Sequence, residues 1–138
     1  RVLEQGQFER LGSSKSLRAD VRVIAATNRN LEQLVTEGKF RGYLFYRLNV
    51  FLIVIPPLRE RPLDIATLVQ QFLAELSARH SVPPPKMTRV TMARLLAYDW
   101  PGNVRELRNV VERACILAES DLITEKDLSV SLPAVLVP

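Results

Sequence analysis

A double proline, Pro56-Pro57, separates two kinds of hydrophobic pattern in this chain. Before it, apolar residues come in nearly unbroken runs, Val21-Arg-Val-Ile-Ala-Ala26 and Val50-Phe-Leu-Ile-Val-Ile55. Such β-branched runs predict strands buried on both faces, as in a parallel sheet covered by helices. After the prolines the period becomes helical: Ile65, Leu68, Val69, Phe72 and Leu76 recur at i, i+3, i+4, i+7 and i+11. Proline lacks the N–H that a ladder needs, so the second strand must stop at Ile55. The expected fold class is therefore α/β plus all-α, an α/β part over residues 1–58 and a small helical part over 59–138.

Local signals fill in the elements. Gln7–Leu11 and Ser16–Asp20 flank Gly12-Ser-Ser-Lys15, which predicts a hairpin with a Gly/Ser tip. Asn30 is placed to cap a short helix from Leu31 to Glu37, and Gly38 ends it. Phe40–Asn49 is aromatic-rich and reads as a short helix. Pro62 stands where a first helical turn accepts proline, and Ser81-Val-Pro-Pro-Pro85 is a stiff connector. Val90–Tyr98 predicts a helix with Thr88 or Thr91 near its start, then Trp100-Pro-Gly102 makes a tight turn. Val104, Leu107, Val111, Ala114 and Ala118 fall on one face of a helix reaching about Glu119. Asn103 as its N-cap would form an Asn-x-x-Glu capping box with Glu106. Thr124–Leu128 predicts a short terminal turn or helix.

Composition removes several function classes. With 138 residues the chain suits one domain or two small ones, and 47% apolar residues exclude a disordered tail. The longest apolar run, Val50–Ile55, falls far short of the roughly 18–20 residues of a membrane-spanning helix. No charged-then-apolar leader opens the chain. One cysteine (Cys115) and one histidine (His80) allow neither an internal disulfide nor a zinc site, so a reducing, cytoplasmic setting is expected. Arg1-Val-Leu-Glu4 opens without methionine in what reads as mid-helix sequence, which suggests a piece of a longer protein. The net charge is +4, and 15 of the 19 basic residues are arginines, scattered rather than clustered. Scattered arginine suits ion pairs or bidentate contacts with carboxylate and phosphate better than a nucleic-acid footprint.

Few positions carry recognisable chemistry. Thr27-Asn28 follows the first apolar run, where ligands bind in open α/β sheets; it either orients a water or phosphate oxygen or simply makes a turn. Arg105 would occupy the second position of its helix, where a cation opposes the macrodipole by several tenths of a kcal/mol. Either an anion held at the helix end reverses that sign, or Arg105 pairs with Glu106 or another carboxylate. Arg41 and Arg47 bracket Tyr43-Leu-Phe-Tyr46; six residues are about 240° of helix, so the two cannot share a face. Arg59 and Arg61 follow the double proline and read as interdomain pairs. No G-x-x-x-x-G-K-[ST] phosphate loop is present, since Gly38-Lys39 is followed by Phe40. No apolar run ends in paired carboxylates that could hold magnesium, and no nucleophile triad can be assembled around His80 alone. His80 stands near a helix C-terminus, where a cationic ring is well placed, while Cys115, Tyr98 and Trp100 read as packing residues.

Four stretches, taken in order, resemble the AAA+ ATPase domain of bacterial enhancer-binding proteins, the NtrC-type activators of sigma-54 RNA polymerase. They are Gly6-Gln-Phe-Glu-Arg-Leu-Gly12, Val21-Arg-Val-Ile-Ala-Ala-Thr-Asn28, Phe40-Arg-Gly-Tyr-Leu-Phe-Tyr-Arg-Leu-Asn-Val50 running into Pro56-Pro-Leu-Arg-Glu-Arg61, and Trp100-Pro-Gly-Asn-Val-Arg-Glu-Leu107. The resemblance implies the C-terminal part of a P-loop AAA+ α/β subdomain followed by a helical lid. It implies that Thr27 and Asn28 are sensor I, that Arg41 and Arg47 are arginine fingers supplied in trans, and that Arg105 is sensor II. Arg10 would lie in the loop coupling nucleotide state to the sigma-contacting loop. The implied cofactors are ATP and Mg2+. The implied partners are neighbouring subunits of a hexamer or heptamer ring, sigma-54 RNA polymerase, and DNA through a domain not in this chain, with no membrane and a bacterial cytoplasmic location. Gly42-Tyr43 depart from the acidic residues usual after the first finger arginine. Two other classes compete, a nucleic-acid-binding module and an assembly module without catalysis; acidic and amide residues interleaved with the arginines of Asn103–Glu119 argue against groove docking.

Overall fold

A computed structural model describes residues 2–128; Arg1 and residues 129–138, the latter assigned above to the helical part, lie outside the described residues. The chain divides into two compact units, the first ending at Val54 and the second starting at Ile55. Helices make up most of the regular structure.

In the first unit a short helix α1 (Val2–Gln5) leads into the predicted hairpin, β1 (Gln7–Glu9) antiparallel to β2 (Ser16–Arg18) with Phe8 opposite Leu17. Gly6 enters it with φ +61°, and a Cβ there would come within 2.9 Å of the Ala19 carbonyl oxygen, so the close approach requires glycine. Helix α2 (Leu31–Thr36) is capped by Asn30, whose Oδ1 accepts from Gln33 N at 3.2 Å. Gly38, at φ +71°, turns the chain away from its end toward α3 (Gly42–Leu48).

The two predicted buried strands do not form. Residues 21–27 and 52–57 have no regular structure, and Ile24 and Val50–Ile55 are all more than 70% exposed. The reason is physical. A strand of this kind gains stability only when neighbouring strands satisfy its backbone and helices cover both faces, and no strand among the described residues pairs with either run. No side chain described in the first unit is buried.

The core belongs to the second unit. After a 3-10 turn, Leu58–Glu60, helix α4 (Pro62–His80) opens with proline at its first position and buries Ile65, Val69, Phe72 and Leu73. The predicted helical period is thus realised, with Leu68 and Leu76 flanking the buried stripe. Ser81, at φ +53°, terminates α4 through its N–H bonds to Ser77 and Ala78 carbonyls. Strand β3 (Lys86–Met87) then pairs parallel with β4 (Leu122–Ile123), an arrangement with no sequence signal because two residues carry no period. Helix α5 (Arg89–Ala97) is capped by Thr88, which accepts from Thr91 N at 3.2 Å; Thr91 is buried with its hydroxyl 2.6 Å from that of Thr88.

Helix α6 (Asn103–Leu117) crosses α4 and supplies Leu107, Val110, Val111 and Ala114 to the core. Its buried stripe differs from the predicted one at both ends. Val104 is exposed, Val110 is buried, and the helix stops at Leu117 rather than Glu119. Each fully buried Leu or Val contributes roughly 1.5–3 kcal/mol relative to exposure, so Leu107 and Val111 hold α6 against the core although the helix ends two residues early. A 3-10 turn (Glu125–Asp127) closes the described chain, with Thr124 and Asp127 capping each other reciprocally. Arg61, expected to pair across units, instead holds Asp64 at 2.7 Å within the first turn of α4. No helix among the described residues is long and apolar enough to cross a membrane.

Candidate functional site

The start of α6 is closely constrained by burial, positive-φ backbone and hydrogen bonds. Trp100 is fully buried at φ +51°, and its Nε1 donates to the Leu95 carbonyl at 2.7 Å. Tyr98 meets the indole edge-on, ring centroids 4.8 Å apart. Three residues after Trp100, Asn103 again takes positive φ, +50°, in the left-handed region that asparagine tolerates better than other side chains. Between them Gly102 leaves room for Glu106: a Cβ on Gly102 would come within 2.6 Å of the Glu106 Cβ.

Asn103 is therefore not the N-cap that its spacing predicts. Gly102 occupies that place, and the Asn103 Oδ1 is committed elsewhere, accepting from Leu58 N at 2.8 Å. Only the returning half of the capping box survives, with Gly102 N donating to Glu106 Oε2 at 3.0 Å. The same carboxylate takes a hydrogen bond from the Tyr98 hydroxyl, which raises the tyrosine above its ordinary pKa. Glu106 is thus occupied by Gly102 and Tyr98, and Arg105 has no partner among the described residues, neither Glu106 nor another carboxylate. Its guanidinium is exposed in the first turn of α6, beside backbone N–H groups that favour negative charge.

The other sequence-predicted residues lie in the first unit. Thr27 Oγ1 accepts from Arg29 N at 3.1 Å, so the Thr27-Asn28 pair forms a side-chain-closed turn with Asn28 exposed. Arg41 precedes α3 in extended conformation, exposed and without a partner among the described residues. Arg47 lies in the last turn of α3 and, with Asp20, Arg22, Val23 and Phe51, lines an open hollow of about 460 Å³. Arg10 is exposed at the hairpin, its carbonyl accepting from Ser13 N at 3.0 Å. The structure brings Arg105 together with Glu106, Tyr98 and Asn103 within one unit, and leaves Thr27, Asn28, Arg10, Arg41 and Arg47 as separate positions within the other.

Sequence reasoning missed two contacts. Arg108 stacks 4.6 Å from the centroid of Phe72 and pairs with Glu75 at 2.8 Å, which joins α6 to α4. The Leu58–Asn103 bond joins residues 45 apart. The only hint of the second was the Gly-Asn dipeptide itself, which favours left-handed backbone. No cluster of three or more His, Cys, Asp or Glu side chains able to hold a metal ion occurs among the described residues.

Residues 59–134 match the AAA+ ATPase lid domain and residues 1–54 match the Sigma-54 interaction domain. Over 132 residues, 96% of this chain and 25% of the relative, the sequence is 48% identical to the nitrogen fixation protein AnfA of Azotobacter vinelandii. It is 46% identical over its full 138 residues to the formate hydrogenlyase transcriptional activator FhlA of Escherichia coli (strain K12), of which it covers 19%. NtrX from Brucella abortus, solved in complex with ATP, matches with a TM-score of 0.86 at 42% identity, over 93% of this chain and 30% of that chain. The chain spans a quarter or less of the length of these curated relatives. The chain belongs to the AAA+ ATPase lid domain family, with a Sigma-54 interaction domain segment ahead of the lid.

Proposed function

We propose that this chain is the nucleotide-sensing and trans-acting portion of a longer activator that hydrolyses ATP as a ring and uses the energy to remodel sigma-54 RNA polymerase. The observation that carries the reading is Arg105, an exposed guanidinium at a helix start whose neighbouring carboxylate is already engaged by Gly102 and Tyr98. A cation left in that position is suited to an anion, and sensor II contact with a nucleotide phosphate is the role its motif implies. Arg41, also without a carboxylate partner, suits the same class of ligand. In this reading Arg41 and Arg47 reach the ATP of the neighbouring subunit, Thr27 and Asn28 report the γ-phosphate, and Arg10 belongs to the coupling loop.

The chain's own residues fit phosphate but not magnesium, because no suitable carboxylate cluster occurs among those described. ATP bound to the longer protein supplies the transferable phosphoryl group. What these side chains contribute is charge placed against its oxygens, and an arginine finger accounts for about 10³–10⁵ in rate. With no phosphate loop in its sequence, the 138-residue chain alone is expected not to hydrolyse ATP.

The test is subunit mixing in the longer protein. Arg41→Ala and Arg47→Ala subunits should bind ATP yet fail to hydrolyse it. Mixed with subunits disabled in the phosphate loop, they should recover activity, because some interfaces then pair an intact cradle with an intact finger. A rate that never exceeds that of either parent, with assembly verified, rejects the trans assignment.

A further inference from the structure

We infer that Asn103 is a positioning residue for Arg105: its amide oxygen ties the first turn of α6 to the point where the chain enters the second unit. The inference rests on the reading of Arg105 as a phosphate contact. Leu58 is the first residue of the 3-10 turn that opens the unit, and it is 1% exposed. Its N–H is one of the orphan donors that every helical start must satisfy. The preceding Pro57 has no side-chain acceptor to offer, and no side-chain cap is present. Asn103 supplies the missing acceptor from 45 residues away, at 2.8 Å. Because the partner is a donor, the oxygen of the amide must face Leu58, and Nδ2 is left near the Pro101 carbonyl at 3.5 Å.

The backbone shows what this bond holds in place. Trp100 and Asn103 both stand in the left-handed region, a conformation that persists only where surrounding contacts over-determine it. Burial and the bond to Leu95 hold Trp100. For Asn103 the restraints are its own N–H, which donates to the Trp100 carbonyl at 2.8 Å, and the side-chain bond from Leu58 N, which alone ties the turn to a distant part of the chain. Arg105 follows two residues later on the same turn, and side chains two apart do not face each other, so Asn103 acts on Arg105 through the backbone. Loss of the bond lets the first turn of α6 fray and spreads the guanidinium over many positions, which weakens its hold on a phosphate.

The experiment uses ATP and the longer, ring-forming protein. Asn103→Gly keeps the left-handed backbone and removes the acceptor; it should raise KM for ATP about fivefold, the worth of one hydrogen bond, with kcat changed less. Asn103→Asp, which restores an acceptor, should return KM to within about twofold. In an Arg105→Ala background, Asn103→Gly should add nothing. An equal effect of Asn103→Gly in both backgrounds overturns the inference, since Asn103 then only holds the fold. No effect of Asn103→Gly while Arg105→Ala raises KM also overturns it, with the reading of Arg105 intact. If Arg105→Ala itself leaves KM unchanged, the phosphate reading fails and the inference falls with it. Should Asn103→Gly not fold, amide exchange in the unsubstituted protein decides: ATP should slow exchange at Leu58, by the reciprocity of coupled sites, and this slowing should vanish in Arg105→Ala. Unchanged exchange at Leu58 on adding ATP overturns the proposal.

Discussion

The indole nitrogen of Trp100 donates to the carbonyl oxygen of Leu95 at 2.7 Å, from a ring with no exposed surface. Leu95 lies in the last turn of α5, where carbonyl groups lose their helical partners, so a side chain five residues on closes that helix from within the core. Trp100→Phe keeps an aromatic ring against Tyr98 but leaves the Leu95 oxygen buried and unsatisfied. The expected cost is about 1–3 kcal/mol, read as a lower midpoint in a thermal melt followed by far-UV circular dichroism. Fluorescence is unsuitable, because the substitution removes the sole tryptophan. A midpoint equal to that of the unsubstituted chain would show that water reaches the carbonyl.

Glu75 should make the second unit sensitive to acid. The Gln71 side-chain amide, 3.1 Å away, and then the Arg108 guanidinium at 2.8 Å hold its carboxyl below the ordinary glutamate value. A carboxylate depressed in the folded state contributes stability that is present above its unfolded pKa and is lost as pH falls through the folded one. Urea melts between pH 7 and pH 3 should therefore show the unsubstituted chain losing its advantage over Glu75→Gln in the acid range. Arg108→Ala should cost more than Glu75→Gln at neutral pH, because it also removes the stacking on Phe72, about 0.5–1 kcal/mol. A constant difference between the chain and Glu75→Gln across the whole range would mean the carboxylate is not held by these partners.

Cys115 should be a poor nucleophile. Burial first, and the Glu112 carboxylate second, push its thiol above the ordinary cysteine value. It packs against the core from α6, beside His80 of α4 in a small pocket that Leu76 and Ile116 also line. Since the thiolate is the reacting species, the pH profile of iodoacetamide alkylation should have its inflection above that of a free cysteine. Glu112→Gln should move the inflection down by only part of the difference, because desolvation remains. An inflection at or below the free-cysteine value contradicts this placement.

How much of the molecule could be read from its residues depends on how far each signal reaches along the chain. The stripe Ile65, Val69 and Phe72, the proline opening α4, the Asn30 cap and the Gly12 hairpin tip were all legible, because each follows from groups within one or two turns of each other. The runs Val21–Ala26 and Val50–Ile55 were legible as strand-forming sequence, but a strand is a property of its neighbours, and no neighbour among the described residues pairs with them. The candidate arginines could be named from their motifs, whereas their surroundings could not.

The helical period of the second unit and the ends of its long helix are legible in the residues alone, since periodicity and capping are written in adjacent positions. Packing between distant segments sets Asn103 to serve Leu58 instead of its own helix, and it hands Glu106 to Gly102 and Tyr98. With those partners assigned, Arg105 is left without a carboxylate. A polar side chain takes the partner that packing brings within hydrogen-bond distance, and for Asn103 that partner lies 45 residues away along the chain.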